Sequence, residues 1–281
     1  MSSARPSVAD KRKTFRRLHE AGCFVIPNPW NIGTARYLEG LGFLALATTS
    51  SGHAHSLGMP YGGQELDDVL AHYREMAAAT DVPLNADFEN GFANDPDKVA
   101  ENVTRCIATG IAGLSIEDSP KSEQPLYGFD LSVARVKAAR AAIDRASGDV
   151  VFTARAENFI RGVNDLDDAI RRLRAYKDAG ADCLYAPGIK TREQIEAVVK
   201  AVAPKPVNFL GGGAFGFTVN DLAAMGVRRI SVGGSLARAA MHAFIRTATE
   251  IAKEGKFDGF AGLVTNPELN KFYDQDRKRH S

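Results

Sequence analysis

Short apolar runs of β-prone residues alternate along this chain with longer amphipathic segments. In the amphipathic segments the apolar residues have the spacing that is typical of a helix with one buried face. The clearest predicted helices are 66–79, 96–109, 131–145 and 166–179. The predicted strands are 23–27, 43–48, 82–87, 113–117, 150–154, 183–186, 206–210 and 229–232. Strand and helix therefore alternate about eight times along the chain.

This alternation predicts parallel strands that are joined by right-handed crossovers. Eight such units in 281 residues favour a closed (β/α)8 barrel of the TIM type. A doubly wound open sheet is the alternative, but no Gly-x-Gly-x-x-Gly opens a helix after the first strand. Without a low-complexity linker, we expect a single domain over 1–281, with 255–281 as a C-terminal appendage that packs on a neighbouring subunit.

Composition and charge exclude several classes of function. The formal net charge is +1, and no basic stripe is interleaved with aromatic residues, so we expect no nucleic-acid partner. No segment approaches the roughly 20 apolar residues of a membrane span, and 1–17 lack the apolar core of a secretory signal. We therefore expect a cytoplasmic protein with no membrane partner. Cys23, Cys106 and Cys183 lack metal-ligand spacing and are predicted to be buried free thiols.

Three carboxylates lie where neighbouring predicted strands end. Asp87 and Glu89 occupy alternate positions at the end of the third strand and therefore point the same way in extended chain. Glu117 closes the next strand. Such residues can also cap the helices that follow, but three converging carboxylates are typical of a site for a hard divalent cation. The set predicts a Mg²⁺ or Mn²⁺ site.

Other polar residues gather at the same predicted end of the barrel, where active sites of this fold lie. Arg155 ends the fifth strand and suits a carboxylate ligand, although a structural ion pair with Glu117 or Glu157 is the alternative. Lys121 lies on a loop whose composition is typical of a mobile lid. It is a candidate proton donor or acceptor, and a solvent-facing lysine without a catalytic role is the alternative. The candidates for substrate binding, besides Arg155, are Trp30, Ser50, Ser51, Gly52, His53 and Asn208.

In this order, the strand-end phrases resemble the isocitrate lyase / phosphoenolpyruvate mutase superfamily over about 24–251. The matching phrases are Asn28-Pro29-Trp30, Thr48-Thr49-Ser50-Ser51-Gly52, Asp87-Phe88-Glu89-Asn90-Gly91-Phe92, Ile116-Glu117-Asp118 and Ala154-Arg155-Ala156-Glu157. The resemblance implies a (β/α)8 barrel whose eighth helix swaps between the subunits of a dimer or tetramer. It also implies that the chemistry makes or breaks a C–C or P–C bond next to a metal-stabilised enolate.

The resemblance assigns roles to individual residues. It implies that Asp87 ligates Mg²⁺ or Mn²⁺, while Glu89 and Glu117 act through water. A small α-keto or α-hydroxy acid would chelate the metal. Ser51 and Gly52 would hold its carboxylate or enolate oxygen, and Arg155 would bind it from another side.

The departures from the family narrow the expected reaction. The loop after Asp118 reads Ser-Pro-Lys-Ser-Glu-Gln-Pro-Leu-Tyr-Gly, without the Lys-Lys-Cys-Gly-His of the isocitrate and methylisocitrate lyases, so those two activities are not expected. Tyr61 lies near the position of an aspartate in phosphonopyruvate enzymes, and Ala186-Pro187 replace their histidine. We expect a divalent-metal lyase that cleaves a C–C bond, with decarboxylase or hydrolase action included. Lys121, Arg155 and Glu117 are its expected catalytic residues. A P–C mutase or hydrolase and a non-catalytic keto-acid-binding relative are the alternatives.

Overall fold

Eight parallel strands form one sheet in the computed structural model, which describes residues 5–120, 122–146 and 149–280. The strands are β1 Phe24–Ile26, β2 Leu46–Ala47, β3 Leu84–Asp87, β4 Gly113–Glu117, β5 Val151–Arg155, β6 Cys183–Tyr185, β7 Val207–Leu210 and β8 Arg229–Ser231. Each strand pairs with its successor from β2 to β8, and β8 pairs with β1. A hydrogen bond from the Ala47 amide to the Pro27 carbonyl at 3.0 Å connects β2 with the end of β1. The predicted TIM-type barrel is thereby confirmed.

The helices lie between and after these strands. They are α1 Val8–Leu18, α2 Ile32–Gly40, α3 Ser50–Ser56, α4 Leu66–Ala79, α5 Pro96–Ile107, α6 Phe129–Ala146, α7 Leu166–Asp178, α8 Arg192–Val202, α9 Val219–Ala224, α10 Ser235–Glu254 and α11 Asn266–His280, with a short 3-10 helix at Asp258–Phe260. The predicted start of a helix at residue 96 is confirmed, and the Asp95 side chain caps this helix by accepting hydrogen bonds from the amides of Asp97 and Lys98. None of the described helices is long and apolar enough to cross a lipid bilayer.

Helix α1 closes the amino-terminal end of the barrel. The Phe15 ring is fully buried and packs with Phe24, Ala112 and Val151 at or beside the starts of three strands. Because this end is filled by apolar side chains, a ligand has access to the interior from the opposite end, where the strands finish.

The segment after the eighth strand contains two different helices. In the described part of α10, only Thr247 is buried, and several large apolar side chains face outward. Helix α11 packs on α2 of its own chain, with the Tyr37 and Phe272 ring centroids 4.6 Å apart. A Cβ atom at Gly40 would lie 2.5 Å from the Phe272 ring, so the glycine makes room for this ring. The described part of the appendage therefore contacts its own barrel, and its packing on a neighbouring subunit stays a prediction.

We expect Gly113→Ala to destabilise the barrel. The added methyl group would lie 2.5 Å from a Phe15 ring carbon and 3.0 Å from the Val151 carbonyl oxygen. Overpacking of this kind should lower the free energy of unfolding by about 1–3 kcal/mol in urea titrations. Gly128→Ala is the matched control, because its Cβ meets nothing within 4 Å. An equal effect of the two substitutions would contradict this account of the closed end.

Candidate active site at the carboxyl end of the barrel

A cavity of about 230 Å³ opens where the strands end, opposite α1. Its wall combines polar side chains from the ends of many strands with a few apolar ones. The polar residues in the wall are Asn28, Thr48, Thr49, Ser50, Ser51, Tyr61, Asn85, Asp87, Ser115, Arg155, Glu157, Tyr185, Asn208, Arg229 and Ser231. The volume suits a small organic acid rather than a dinucleotide.

Arg155 is the centre of the charged part of this wall. Its guanidinium pairs with Asp87 Oδ1 at 2.8 Å through Nη1, with Glu157 Oε1 at 2.8 Å through Nε, and with Glu117 Oε2 at 3.3 Å through Nη2. The strand register creates this arrangement, because Glu117 lies directly opposite Arg155 in the β4–β5 pair. The three carboxylates hold the pKa of Arg155 well above its ordinary value, although burial opposes this. The structural ion pairs that we considered as an alternative are therefore present.

Asp87 is held from several sides. Its Oδ2 accepts hydrogen bonds from the Ser50 amide at 3.1 Å and the Ser50 hydroxyl at 2.8 Å. The Asp87 amide donates to Thr48 Oγ1 at 2.9 Å, and the Tyr73 hydroxyl donates to the Asp87 carbonyl at 2.5 Å. Such anchoring fixes the direction of the carboxylate, as expected for a preorganised ligand. Ser50, predicted to bind substrate, orients Asp87 here.

Tyr61 is a site residue that sequence reasoning did not propose. Its hydroxyl lies 3.4 Å from Glu117 Oε1, although half of the residue is exposed. Burial, Glu117 and Asp87 together raise the pKa of Tyr61 far above its ordinary value, so the phenol keeps its proton. Burial also raises the pKa of Glu117 well above its ordinary range, against the opposing effect of Arg155. The available signal was its place in the loop after Leu57-Gly58, near the position that an aspartate occupies in the phosphonopyruvate enzymes that the sequence resembles.

Glu89 adopts an unusual backbone conformation next to the site. Its φ is +44°, in the left-handed region that side chains other than glycine rarely adopt. Its carbonyl oxygen accepts a hydrogen bond from the Glu117 amide at 2.9 Å, so the turn couples β3 to β4. Backbone strain of this kind concentrates at functional sites. Sequence alone gave no sign of it.

A buried network behind the site fixes the end of β5. Asp118 accepts hydrogen bonds from the Glu157 amide at 2.8 Å and from the Tyr176 hydroxyl at 2.5 Å. Arg172 Nη1 donates at 3.2 Å to Oδ2 of this carboxylate, the oxygen that also accepts from Tyr176. Asp118 thus positions the backbone that carries Glu157, one of the partners of Arg155.

The other predicted residues divide into two groups. Ser51 and Asn208 line the cavity with Ser50, Asp87 and Arg155. Trp30 and Gly52 line a separate groove beside α10, and the Gly52 amide already donates to Thr49 Oγ1 at 3.3 Å.

His53 does not line the cavity. Its ring stacks on that of His72, with centroids 3.5 Å apart and planes 12° apart. Burial lowers the pKa of both imidazoles, that of His72 to about 3, so the pair packs in the neutral form. Lys121 lies outside the described residues.

The described residues fit a hard divalent cation. Asp87, Glu117 and Glu157 share one guanidinium, and Glu117 Oε2 accepts no hydrogen bond. Mg²⁺ or Mn²⁺ would offset the excess of buried negative charge. Both ions also prefer the oxygen ligands that this site offers. The carboxylate oxygens of Asp87, Glu89 and Glu117 do not all lie within 4.8 Å of one another. This spacing is compatible with one direct ligand and others that act through water.

Comparisons with known proteins agree with this architecture. The family model for phosphoenolpyruvate phosphomutase matches residues 15–252. A protein of known structure from Burkholderia cenocepacia J2315, described only in general terms as a lyase or mutase, is 45% identical, with a TM-score of 0.90 over 95% of this chain and 96% of that one. The 2-methylisocitrate lyase of Escherichia coli K12 is 32% identical over 76% of each chain. A phosphonopyruvate hydrolase, solved with oxalate and Mg²⁺, is 28% identical, with a TM-score of 0.82 over 96% of each chain.

We expect Arg155→Gln to destabilise the metal-free protein by about 3–5 kcal/mol, because three carboxylates lose their shared cation. Burial raises the pKa of Glu117, so a protonated Glu117 favours the folded state and this benefit is lost as the pH rises. The deficit should therefore be smaller near pH 5 than near pH 8 when urea titrations are made in EDTA. Arg171→Gln is the control, because its ion pair with Asp168 is exposed and should contribute about 0–1 kcal/mol. A pH-independent loss equal to that of the control would mean that Arg155 is not the shared counter-ion.

Proposed function

Since the chain belongs to the isocitrate lyase / phosphoenolpyruvate mutase superfamily, we propose that it is a divalent-metal-dependent lyase that cleaves a C–C bond in a small α-keto or 2-hydroxy carboxylic acid. Decarboxylase and hydrolase reactions are included in this proposal. The observation that carries it is the Arg155 cluster, in which the guanidinium and the carboxylates of Asp87 and Glu157 border a cavity of about 230 Å³. A cavity of this charge and size suits a small acid bound together with a cation.

The carboxylates in this proposal hold the cation. Asp87 would ligate Mg²⁺ or Mn²⁺ directly, with Glu89 and Glu117 acting through water. When bound, the cation would supply electrostatic stabilisation of the charge that develops on an enolate oxygen. Ser50 keeps Asp87 aligned, and the Tyr61 hydroxyl keeps Glu117 aligned, so that neither carboxylate has to reorient during the reaction.

The remaining polar residues would bind the acid. Arg155 would exchange part of its ion pairing for the substrate carboxylate, for which its planar fork is suited. Ser51 and Asn208 would donate to the other oxygens, since both lie in the cavity wall. Trp30, Gly52 and His53, which do not line this cavity, would act from the groove beside α10 or by packing. Lys121 remains the proposed acid or base of the lid.

A P–C mutase or hydrolase is the second candidate, favoured by the similarity to the phosphonopyruvate hydrolase that was solved with oxalate and Mg²⁺. Against it, the Tyr61 hydroxyl faces Glu117 and would stand beside the bound acid, where it replaces a carboxylate with a neutral donor. A keto-acid-binding relative without turnover is the third candidate. The intact set of Asp87, Glu117 and Arg155 argues against the loss of chemistry.

We expect turnover of at least one C–C substrate from a panel of oxaloacetate, 2-methylisocitrate and dimethylmalate, with phosphonopyruvate included. The assay is made with Mg²⁺ or Mn²⁺ and repeated in EDTA, where turnover should be lost. Asp87→Asn should lower kcat/KM at least about 100-fold, because it removes the direct ligand of the cation. Asp97→Asn, which changes an exposed carboxylate on α5, is the matched control and should leave kcat/KM unchanged.

Each departure from this result has a definite meaning. Turnover of phosphonopyruvate alone would move the protein to the P–C branch. Metal-dependent binding of oxalate without any turnover would identify the binding relative. Turnover that survives both EDTA and Asp87→Asn would remove the cation from the mechanism.

The proposal includes a homo-oligomer, a dimer or tetramer, in which α10 packs on a neighbouring copy. Met241, Phe244 and Ile245 are 40%, 66% and 54% exposed on this helix. Met241 and Phe244 border, with Trp30, the groove beside the active-site helix α3. Apolar patches of this kind mark association surfaces. Closure of this groove by a second copy would also support Ser50 and Ser51 from behind.

We expect Phe244→Glu to shift the assembly toward monomer, because a carboxylate would be buried in the contact. Light scattering coupled to gel filtration measures the mass directly. Val219→Glu is the control, since Val219 is 43% exposed at the start of α9 and lies outside the groove. Unchanged mass in Phe244→Glu would exclude this face of α10 from the contact.

A further inference from the structure

Three ligating side chains converge at the opposite end of the barrel, where α11 docks on α2. Glu39 lies in the last turn of α2, Asp81 lies before β3, and His280 ends α11. His280 Nε2 is 3.3 Å from Glu39 Oε2 and 3.7 Å from Asp81 Oδ2. Among residues 5–120, 122–146 and 149–280, this is the one group of three potential ligand atoms that all lie within 4.8 Å of one another.

Each of the three side chains is anchored through its other polar atom. His280 Nδ1 lies 2.9 Å from the Asp276 carbonyl oxygen, which can only accept, so Nδ1 carries a proton. Glu39 Oε1 accepts a hydrogen bond from the Asp81 amide at 2.9 Å. Asp81 Oδ1 accepts one from Arg5 Nε at 2.6 Å. Fixed outer partners of this kind are typical of metal ligands, because they set the tautomer and the direction of each donor.

The atoms that face one another lack a donor between them. His280 Nε2 and Glu39 Oε2 are buried and accept no hydrogen bond, and their side chains are only 5% and 10% exposed. A neutral imidazole presents a lone pair at Nε2, so three electron-rich atoms converge on one point. Such an arrangement is unfavourable unless a cation or a proton occupies it.

The nearby cationic side chains are engaged elsewhere. Lys11 Nζ donates to the carbonyl oxygens of Ala77 and Thr80. The guanidinium of Arg5 contacts the outer oxygen of Asp81 and not the inner one.

Two further arginines are equally occupied. Arg36 and Arg279 both pair with Asp276, at 2.8 and 3.3 Å. None of these four groups lies between the three converging atoms in any contact that the structure shows.

We propose that Glu39, Asp81 and His280 bind a divalent metal ion of the Zn²⁺ class, and that this ion holds α11 against the barrel. Metal–nitrogen and metal–oxygen bonds of about 2.0–2.2 Å in a tetrahedron place the ligand atoms roughly 3.3–3.6 Å apart. The two distances from Nε2, 3.3 and 3.7 Å, match this spacing. An imidazole with two carboxylates favours Zn²⁺, Co²⁺ or Ni²⁺ over Mg²⁺. Asp81, 27% exposed, leaves a side open for water as the fourth ligand.

The test is calorimetric titration of the full chain with Zn²⁺ after removal of metals by EDTA and dialysis. Excess Mg²⁺ in the buffer competes for the proposed oxygen-only site in the barrel, and the part of the Zn²⁺ signal that is lost in His280→Gln reports the imidazole site. We expect one equivalent to bind. His280→Gln and Glu39→Gln should each weaken binding at least about 10- to 100-fold, the range known for loss of outer-shell partners alone. His242→Gln, an exposed histidine on α10, is the matched control and should bind Zn²⁺ normally.

A second measurement identifies the ligands. Co²⁺ in a tetrahedral site of nitrogen and oxygen donors has an intense visible absorption, which should be present in the unaltered chain and absent in His280→Gln. Glu39→Gln keeps an oxygen that can accept from the Asp81 amide, so the α2–β3 contact survives in this variant. Circular dichroism confirms that both variants remain folded. If His280→Gln releases α11, Glu39→Gln alone decides the question.

Two results would overturn the proposal. Zn²⁺ affinity and Co²⁺ absorption that are unchanged in both variants would place the bound metal elsewhere. Absence of Zn²⁺ binding in the unaltered chain, together with a His280-dependent gain in stability at acidic pH, would show that a proton bridges the cluster as an imidazolium ion pair. Neither readout involves turnover, so the outcome is independent of the proposed lyase activity.

Discussion

One buried guanidinium, that of Arg155, is the constraint on which the site depends. Charges that leave water must be paired, and Arg155 satisfies three carboxylates that come from β3, β4 and the loop after β5. Because parallel strands end together, a register fixed by backbone hydrogen bonds brings Glu117 and Arg155 side by side. The arrangement leaves an excess of negative charge at the mouth of the barrel. A bound cation would offset that excess, and an acidic substrate would then pair with the cation and with Arg155.

The surrounding structure serves to hold this cluster in place. Asp118 ties the end of β4 to α7 through Arg172 and Tyr176, and it also fixes the Glu157 amide. Phe15 fills the other end of the barrel and directs access to the carboxyl ends of the strands. The two ends thus have separate tasks. One contains desolvated charge for binding and chemistry, and the other is packed for stability, with the cluster of Glu39, Asp81 and His280 at its edge.

Much of the site could be predicted because the carboxyl ends of all strands lie at the same end of a parallel barrel. Asp87, Arg155, Ser50, Ser51 and Asn208 were each placed by that rule, and each lines the cavity. The rule failed for residues whose direction depends on packing. His53 follows a strand, yet its ring stacks on His72. Tyr61 lies far along a loop, yet its hydroxyl reaches Glu117. Ser50 to Gly52 form the first turn of a helix, which Thr49 caps.

The sequence by itself determined the eight-fold alternation, the parallel barrel and the family, since apolar periodicity and short strand-end phrases are local properties. It also placed Asp87, Glu117 and Arg155 at one end of the barrel, because parallel strands end together. Only the tertiary structure decided which carboxylates pair with the Arg155 guanidinium and which residues hold these carboxylates in place by hydrogen bonds. It alone brought Glu39, Asp81 and His280 together from positions up to 241 apart in the chain. Contacts of that range follow from the docking of whole helices, which no local pattern encodes.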